Sequence, residues 1–200
     1  MACSPIGAYD RRKNQYIKIL ALGERVKKLI VYAPELQAKI DACGILPEGD
    51  FDVVADFPNM HMWLTKNMHI AELQYATIVT ELLERNSENM DKIKDVVENQ
   101  AKLDAAVVPA SIDAQDAFQY LSKYYLDGMP CDDVKVIDEN TEKLFSWTVI
   151  NDTHTPFWEK AGGNVDIYYE LLELYVNTLF AGKNIKYSYF DNKHFSLAVY

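Results

Sequence analysis

The spacing of apolar residues changes close to Pro130 in this 200-residue chain. Before that point, apolar side chains recur every three or four residues, which is typical of amphipathic helices. After it, apolar and polar residues alternate in two pairs of short segments, which is typical of half-buried strands. One helix-spaced segment, residues 165–181, separates the two pairs. The pattern therefore predicts a helical front followed by a hairpin–helix–hairpin end.

The front part, about residues 12–127, is predicted to contain a series of helices joined by breaks rich in proline and glycine. Pro34 divides the first helical stretch in two, because proline cannot continue a helix through its interior. Residues 44–58 contain two glycines and two prolines and are predicted to form a connecting loop. The helical segments are expected at residues 12–40, 59–85, 87–103 and 111–127.

Helix ends are predicted from residues that cap them. Ser87 and Ser111 precede helical segments, and a serine side chain can accept a hydrogen bond from the first free N–H groups of a helix. Asn164 is expected to cap the helix of residues 165–181 in the same way, and Gly182 to end it.

The last third of the chain, residues 131–200, is predicted to form one antiparallel sheet. Alternating apolar residues place one hairpin at residues 134–150 and another at residues 185–200. Each set of alternating residues gives its strand one face to bury, so the two hairpins can join as a four-stranded sheet packed on the 165–181 helix. The fold class is therefore α+β, with residues 1–200 as a single domain.

Composition and charge exclude several classes of partner. The formal net charge is −10 and the isoelectric point is about 4.8, whereas binding to phosphate backbones requires a face rich in lysine and arginine. We therefore expect neither nucleic acid nor a membrane surface as a partner. Three cysteines without a CxxC spacing (Cys3, Cys43 and Cys131) suit a reducing compartment. With no apolar segment typical of a signal peptide at the start, the expected location is cytoplasmic.

A polar cluster follows the strand predicted to end near residue 150. His154 lies two residues after Asp152, and an imidazole oriented by a carboxylate can act as a general base, with Glu159 as a second carboxylate. The alternative is a capped turn, in which Asp152 or Thr155 caps a short helix and the aromatic residues after it enter the core. Both interpretations remain open at the level of sequence.

Aromatic residues are abundant in the last third of the chain, and they suggest a ligand pocket. Tyrosine offers a flat apolar surface and a hydroxyl that can orient a ligand. Packing of a helix on a sheet would produce the same pattern, so core packing is the alternative. The candidate ligand-binding residues are Trp147, Phe157, Trp158, Tyr169, Tyr175 and Tyr187.

No complete metal or nucleotide motif is present. Glu72 follows His69 by three residues on the predicted long helix, so these two share a face, but His61 lies about 80° away from His69 around the helix. Carboxylate-bridged di-iron bundles use the reverse order, Glu-x-x-His, and need a second copy of it. We therefore predict no metal and no cofactor.

Three runs in the last third carry a resemblance to known families. They are LFSWTVIND, VDIYYELLELYVNTLFAG and IKYSYFDNKHFSLAVY. Together the segment Val134 to Tyr200 resembles the C-terminal part of the 4-vinyl-reductase-like small-molecule-binding domains, and the same layout is similar to that of amino-thiazoline-carboxylate hydrolase-like proteins. The resemblance implies an apolar pocket between helix and sheet for a small organic ligand. No cysteine follows Cys131, so the cysteine-dependent chemistry of those families is not carried over.

Three functions follow as hypotheses. The first is a binding or sensor protein for a small apolar or aromatic ligand, as the resemblance implies. The second is a hydrolase-like enzyme that uses Asp152, His154 and Glu159. The third is an acidic interaction protein of the immunity or inhibitor type. The sequence does not choose between a monomer and a homodimer.

Overall fold

The computed structural model describes residues 7–129 and 132–200. Cys3 and Cys131 lie outside the described residues. The helices are α1 (Ala8–Ile30), α2 (Gln37–Ala42), α3 (Phe51–Val54), α4 (Met60–Arg85), α5 (Asn89–Ala105), α6 (Ala114–Tyr124), α7 (Thr155–Lys160) and α8 (Val165–Leu179). The strands are β1 (Lys135–Asn140), β2 (Leu144–Val149), β3 (Ile185–Phe190) and β4 (His194–Val199).

Helix α4 is the centre of the helical part. Fifteen of its 26 residues are buried, far more than the single stripe that a surface helix buries. It packs on α1 along much of its length and also touches α5 and α7. The buried set includes Glu72, a charged residue that needs a partner at this depth.

The four strands form a single antiparallel sheet in the order β1-β2-β4-β3. This confirms the predicted α+β class and the joining of the two hairpins. Residues Phe145 and Trp147 of β2 face Leu197 and Phe195 of β4 on the buried side of the sheet.

Two helices, not α8 alone, cover the buried side of the sheet. Helix α6 packs on β2 and β4, where the ring of Phe118 stacks on Phe145 with 4.0 Å between ring centroids. Helix α8 packs against β3 and, more extensively, against α5. The space between helices and sheet is therefore filled by aromatic rings.

Of the three helix N-caps predicted from the sequence, the structure confirms the cap of α8 and corrects those of α5 and α6. Asn164 caps α8 as predicted, with its Oδ1 accepting from the N–H of Asp166 at 2.9 Å. Helix α6 is capped by Asp113, which accepts from Asp116 N at 2.7 Å, and not by Ser111. A carboxylate is the stronger acceptor at a helix N-terminus, which favours the aspartate.

The Ser87 cap is also corrected. Helix α5 begins at Asn89, and the turn before it is closed by Asn86, whose Oδ1 accepts from the N–H of Glu88 at 2.9 Å. Within residues 7–129 and 132–200, no helix combines the length and apolar content that crossing a membrane requires.

Candidate functional site

The side chain of His154 lies in the core, held by three aromatic and acidic neighbours. It is 2% exposed. Its Nδ1 lies 3.3 Å from Oε2 of Glu72 on α4, and its Nε2 lies 3.2 Å from the hydroxyl of Tyr125. The ring of Tyr168 on α8 stacks on the imidazole, with 3.9 Å between ring centroids. These contacts fix both the position and the orientation of the imidazole.

The Glu72 carboxylate decides the charge of this imidazole. Burial alone lowers the pKa of His154, but the negative charge and hydrogen bond of Glu72, with smaller contributions from Asp127 and Asp152, outweigh it. The net pKa of His154 is raised above its ordinary value of 6.5, which favours the protonated form. When His154 is protonated, it forms an ion pair with Glu72 inside the protein, and removal of either residue then leaves the other as an uncompensated buried charge.

Asp152 does not orient the imidazole but caps helix α7. Its Oδ1 accepts from the backbone N–H groups of His154 at 2.8 Å and Thr155 at 3.2 Å, and its Oδ2 accepts from the Thr155 hydroxyl at 2.6 Å. Burial raises the pKa of Asp152, but these hydrogen bonds more than offset it and leave the pKa lowered. Glu159 is exposed on α7 whereas His154 is buried, so the structure does not bring these two together.

A crevice reaches the ion pair from the surface. Helices α1, α4 and α8 line it together with the end of α6, through Lys18, Ala21, Leu22, Arg25, Glu72, Tyr75, Tyr124, Tyr125, Leu126, Tyr168, Leu171, Leu172 and Tyr175. Its volume is about 30 Å³, room for roughly two water molecules and far below the several hundred Å³ of a usual ligand pocket. In this closed form, the crevice fits a small ion or the head group of a larger molecule.

Two donors buried at this crevice make no hydrogen bond within the part of the chain that the structure describes: the Tyr75 hydroxyl and Nε of Arg25. Tyr75 is 1% exposed. Burial raises its pKa to about 12, although the positive charge of Arg25 nearby acts in the opposite direction. The Arg25 guanidinium lies over the ring of Tyr175, 4.7 Å from its centroid, and the Tyr175 hydroxyl donates to Asp104 at 2.7 Å.

Lys18 adds a second cationic side chain to the crevice. It is half-buried on α1, and burial lowers its pKa to about 8, although the charge of Asp127 opposes this shift. Asp127 itself forms an ion pair with Lys135. The crevice thus combines two cations with several tyrosine rings.

Of the six aromatic residues predicted to bind a ligand, only Tyr175 lines the crevice. Four of the others are buried in the hydrophobic core: Trp147, Trp158, Tyr169 and Tyr187. Phe157 is half-buried away from the crevice, where its ring centroid lies 5.2 Å from that of His69.

The sequence interpretation did not single out Lys18, Arg25 or Tyr75 as site residues. A signal for the first two was present, because Lys18, Leu22 and Arg25 are spaced at i, i+4 and i+7 and share one face of α1. A cation on a helix face that also buries a leucine is unusual. Tyr75 follows Glu72 by three residues, which places it on the same face of α4.

The histidines of the long helix do not assemble a metal site. His69 contacts Phe157, whereas Glu72 points to His154 on another side of α4. Within the described residues, no three histidine, cysteine or acidic side chains lie close enough to share a metal ion.

Comparison of the chain with protein-family models, with curated proteins and with solved structures found no match.

Proposed function

We propose that this protein binds a small organic molecule in the crevice between α1, α4 and α8, as a ligand-binding or sensor protein. The observation that carries the proposal is the Tyr75 hydroxyl, which is buried at the crevice beside the Arg25 guanidinium without a hydrogen bond of good geometry, while Nε of Arg25 has no acceptor among the described residues. Side chains from α1, α4 and α8, and from the segment after α6, converge there. Convergent polar groups in a concave, partly apolar site are the usual form of a ligand site.

The Tyr75 hydroxyl and the Arg25 Nε would gain free energy from a ligand that accepts their hydrogen bonds. A buried donor without a partner costs about 1–3 kcal/mol of stability. A ligand that supplies an acceptor recovers this free energy on binding, so groups that are unfavourable in the free protein become favourable in the complex.

The walls of the crevice suit the apolar part of a ligand. Leu22, Leu171 and Leu172 line it together with the rings of Tyr168 and Tyr175. Because the closed crevice is small, an aromatic ligand must displace side chains at the entrance. Lys18 and Tyr124 are half-buried and are the candidates for this movement.

This position differs from the pocket that the resemblance to vinyl-reductase-like domains implies. That pocket would lie between α8 and the sheet, where the rings of Trp147 and Phe195 stack with 5.5 Å between centroids. The proposed site shares α8 and Tyr175 with that expectation but lies on the side facing α1 and α4. Helix α8 therefore contributes to the ligand site through the tyrosines that face away from the sheet.

The surroundings of His154 favour ligand binding over catalysis by this residue. Both of its ring nitrogens are engaged, by Glu72 and by Tyr125, and the side chain is almost fully buried. A general base must reach the proton that it abstracts. We therefore propose that the ion pair supports the floor of the site.

A thermal-shift screen of small aromatic compounds tests the proposal when it includes a variant with a filled crevice. Ala21 lines the crevice, so Ala21→Leu should occupy the space that a ligand needs. Ala38→Leu, the same change at an exposed position of α2, is the matched control. Compounds that stabilise the wild type and Ala38→Leu, but not Ala21→Leu, support the proposal. A screen in which every stabilising compound acts equally on Ala21→Leu would contradict it.

A further inference from the structure

We propose that the crevice recognises a small monovalent anionic group, held by Arg25, Lys18 and the Tyr75 hydroxyl. This inference rests on the proposed function and names the chemistry of its ligand. The anionic group is either a free ion or the acidic head group of a larger organic molecule. Both sources present the same oxygen or halide acceptor to the same three donors.

The two cations leave the same face of one helix. Lys18 and Arg25 are seven residues apart on α1, which is close to two full turns, so their side chains leave the same face. Both line the crevice. Among the residues that the structure describes, Lys18 forms neither an ion pair nor a hydrogen bond, and Arg25 forms no ion pair.

The Arg25 guanidinium is oriented by stacking on an aromatic ring. One face of its guanidinium lies on the Tyr175 ring, and that ring is held in turn by the hydrogen bond from its hydroxyl to Asp104. The N–H donors of a guanidinium lie in its plane, so stacking leaves them available for an acceptor. The preorganised fork loses little side-chain freedom when an anion binds.

The acidic groups around the crevice are engaged with other partners. Glu72 is the carboxylate among the lining residues, and it is paired with His154. Asp127, which acts on Lys18, is paired with Lys135, and Asp104 accepts the hydrogen bond of Tyr175. With the acidic groups engaged in this way, neither Lys18 nor Arg25 has an ion-pair partner of its own within the described part of the chain.

The size of the crevice limits the anion. A volume of about 30 Å³ admits a halide, nitrate or a carboxylate group without rearrangement. The apolar remainder of a larger acid would then lie against Leu171 and Leu172.

The experiment compares charged and neutral probes of one shape. The midpoint of thermal unfolding is followed while the wild type is titrated with benzoate, with benzamide, and separately with sodium nitrate and sodium chloride at fixed ionic strength. Each titration is repeated on Arg25→Gln and on Lys18→Gln. Lys28→Gln, which removes an exposed charge from the same helix, is the control. General effects of salt then cancel between variants.

Saturable stabilisation by benzoate and not by benzamide supports the inference. Charge-assisted hydrogen bonds contribute enough that Arg25→Gln should weaken the apparent Kd about 10-fold or more, with Lys28→Gln unchanged. Nitrate or chloride acting in the same Arg25-dependent way identifies a free ion as a sufficient source. If benzoate binds and the ions do not, the head group of an organic acid is the source.

Four results would overturn the inference. Benzamide binding as tightly as benzoate would show that charge is not recognised, while leaving a ligand site in place. Benzoate binding equally to Arg25→Gln and the wild type would put the anion elsewhere. If the screen yields only neutral ligands, and Ala21→Leu blocks their binding, the crevice binds ligands as proposed but does not recognise an anionic group. If neither charged nor neutral compounds bind, the proposed function fails together with the inference.

Discussion

Glu72 and His154 are 82 residues apart in the sequence, yet their side chains meet at 3.3 Å in the core. The contact joins the central helix α4 to the segment that opens α7. Because the two charges are almost fully buried, each depends on the other for compensation. The pair also lies at the floor of the proposed ligand site, since Glu72 lines the crevice.

The pKa of His154 should fall when Glu72 is replaced by glutamine. The carboxylate is the main group that raises this pKa, whereas burial, which lowers it, is unchanged in Glu72→Gln. Histidine ring signals followed by NMR across a pH series measure the effect. Asp152→Asn is the control, since Asp152 contributes less and caps α7. A His154 midpoint that stays in place in Glu72→Gln would contradict the ion pair.

The same ion pair should make stability depend on pH. Since the folded-state pKa of His154 is raised, its contribution is complete below the unfolded value of 6.5 and is lost as pH rises through the folded pKa. Lys18, whose folded pKa of about 8 is lowered, acts in the opposite direction above that pH. The free energy of unfolding should therefore decrease from pH 6.5 towards 8, by at most about 1.4 kcal/mol per pH unit from this group.

Urea unfolding of the wild type and of His154→Gln at several pH values measures this dependence. The difference in free energy of unfolding between the two proteins should shrink as pH rises. Parallel curves over the window would mean that His154 does not titrate there.

Tyr75 and Tyr175 should respond oppositely to the loss of a hydroxyl. The Tyr75 hydroxyl is buried without a hydrogen bond to described residues, so Tyr75→Phe should raise the free energy of unfolding by about 1 kcal/mol. The Tyr175 hydroxyl donates to Asp104, so Tyr175→Phe should lower it by about 1 kcal/mol. Chemical denaturation of both variants is the measurement. Equal losses in both would show that the Tyr75 hydroxyl is paired, which removes a main support of the proposed site.

Gly163 should tolerate a methyl group only if Thr80 is shortened. A Cβ at Gly163 would overlap Oγ1 of Thr80 on α4 and approach the Trp158 ring at 3.2 Å. Gly163→Ala is therefore expected to cost about 1–3 kcal/mol through overpacking. Gly162 meets open space, so Gly162→Ala carries only the strain of its φ of +77°.

The double variant Gly163→Ala/Thr80→Ala isolates the contact. It should recover most of the loss seen in Gly163→Ala, because the overlapping oxygen is gone. Additive losses in thermal unfolding would instead indicate that α4 and the α7–α8 turn are not in contact at this point.

The fold was largely predictable because it depends on local patterns. Alternation at Phe145, Trp147, Phe195 and Leu197 set the buried face of the sheet, and periodicity over residues 59–85 located the central helix. The capping residues were less predictable, since Ser111 and Asp113 are both good candidates and only the backbone geometry decides between them.

The site was not predictable because its contacts are long-range. Asp152 was the natural partner for the His154 imidazole from its spacing, but an aspartate side chain readily accepts hydrogen bonds from the backbone N–H groups two and three residues later, here those of His154 and Thr155. The true partner, Glu72, carried a weak signal as a charge among apolar residues of α4. Nothing in the sequence links α1 to α8, which is how Arg25 comes to lie on Tyr175.

Mapping of a bound ligand on the protein by backbone amide chemical shifts tests the central claim most directly. The spectrum of the isotope-labelled protein is recorded with and without the first compound found by the screen. The proposed site predicts that Ala21→Leu abolishes the shifts and that the largest of them fall in the residues that line the crevice, which are Lys18, Ala21, Leu22, Arg25, Glu72, Tyr75, Tyr124, Tyr125, Leu126, Tyr168, Leu171, Leu172 and Tyr175. Shifts confined to the sheet, or to the groove between α1, α2 and residues 45–49, would contradict the claim.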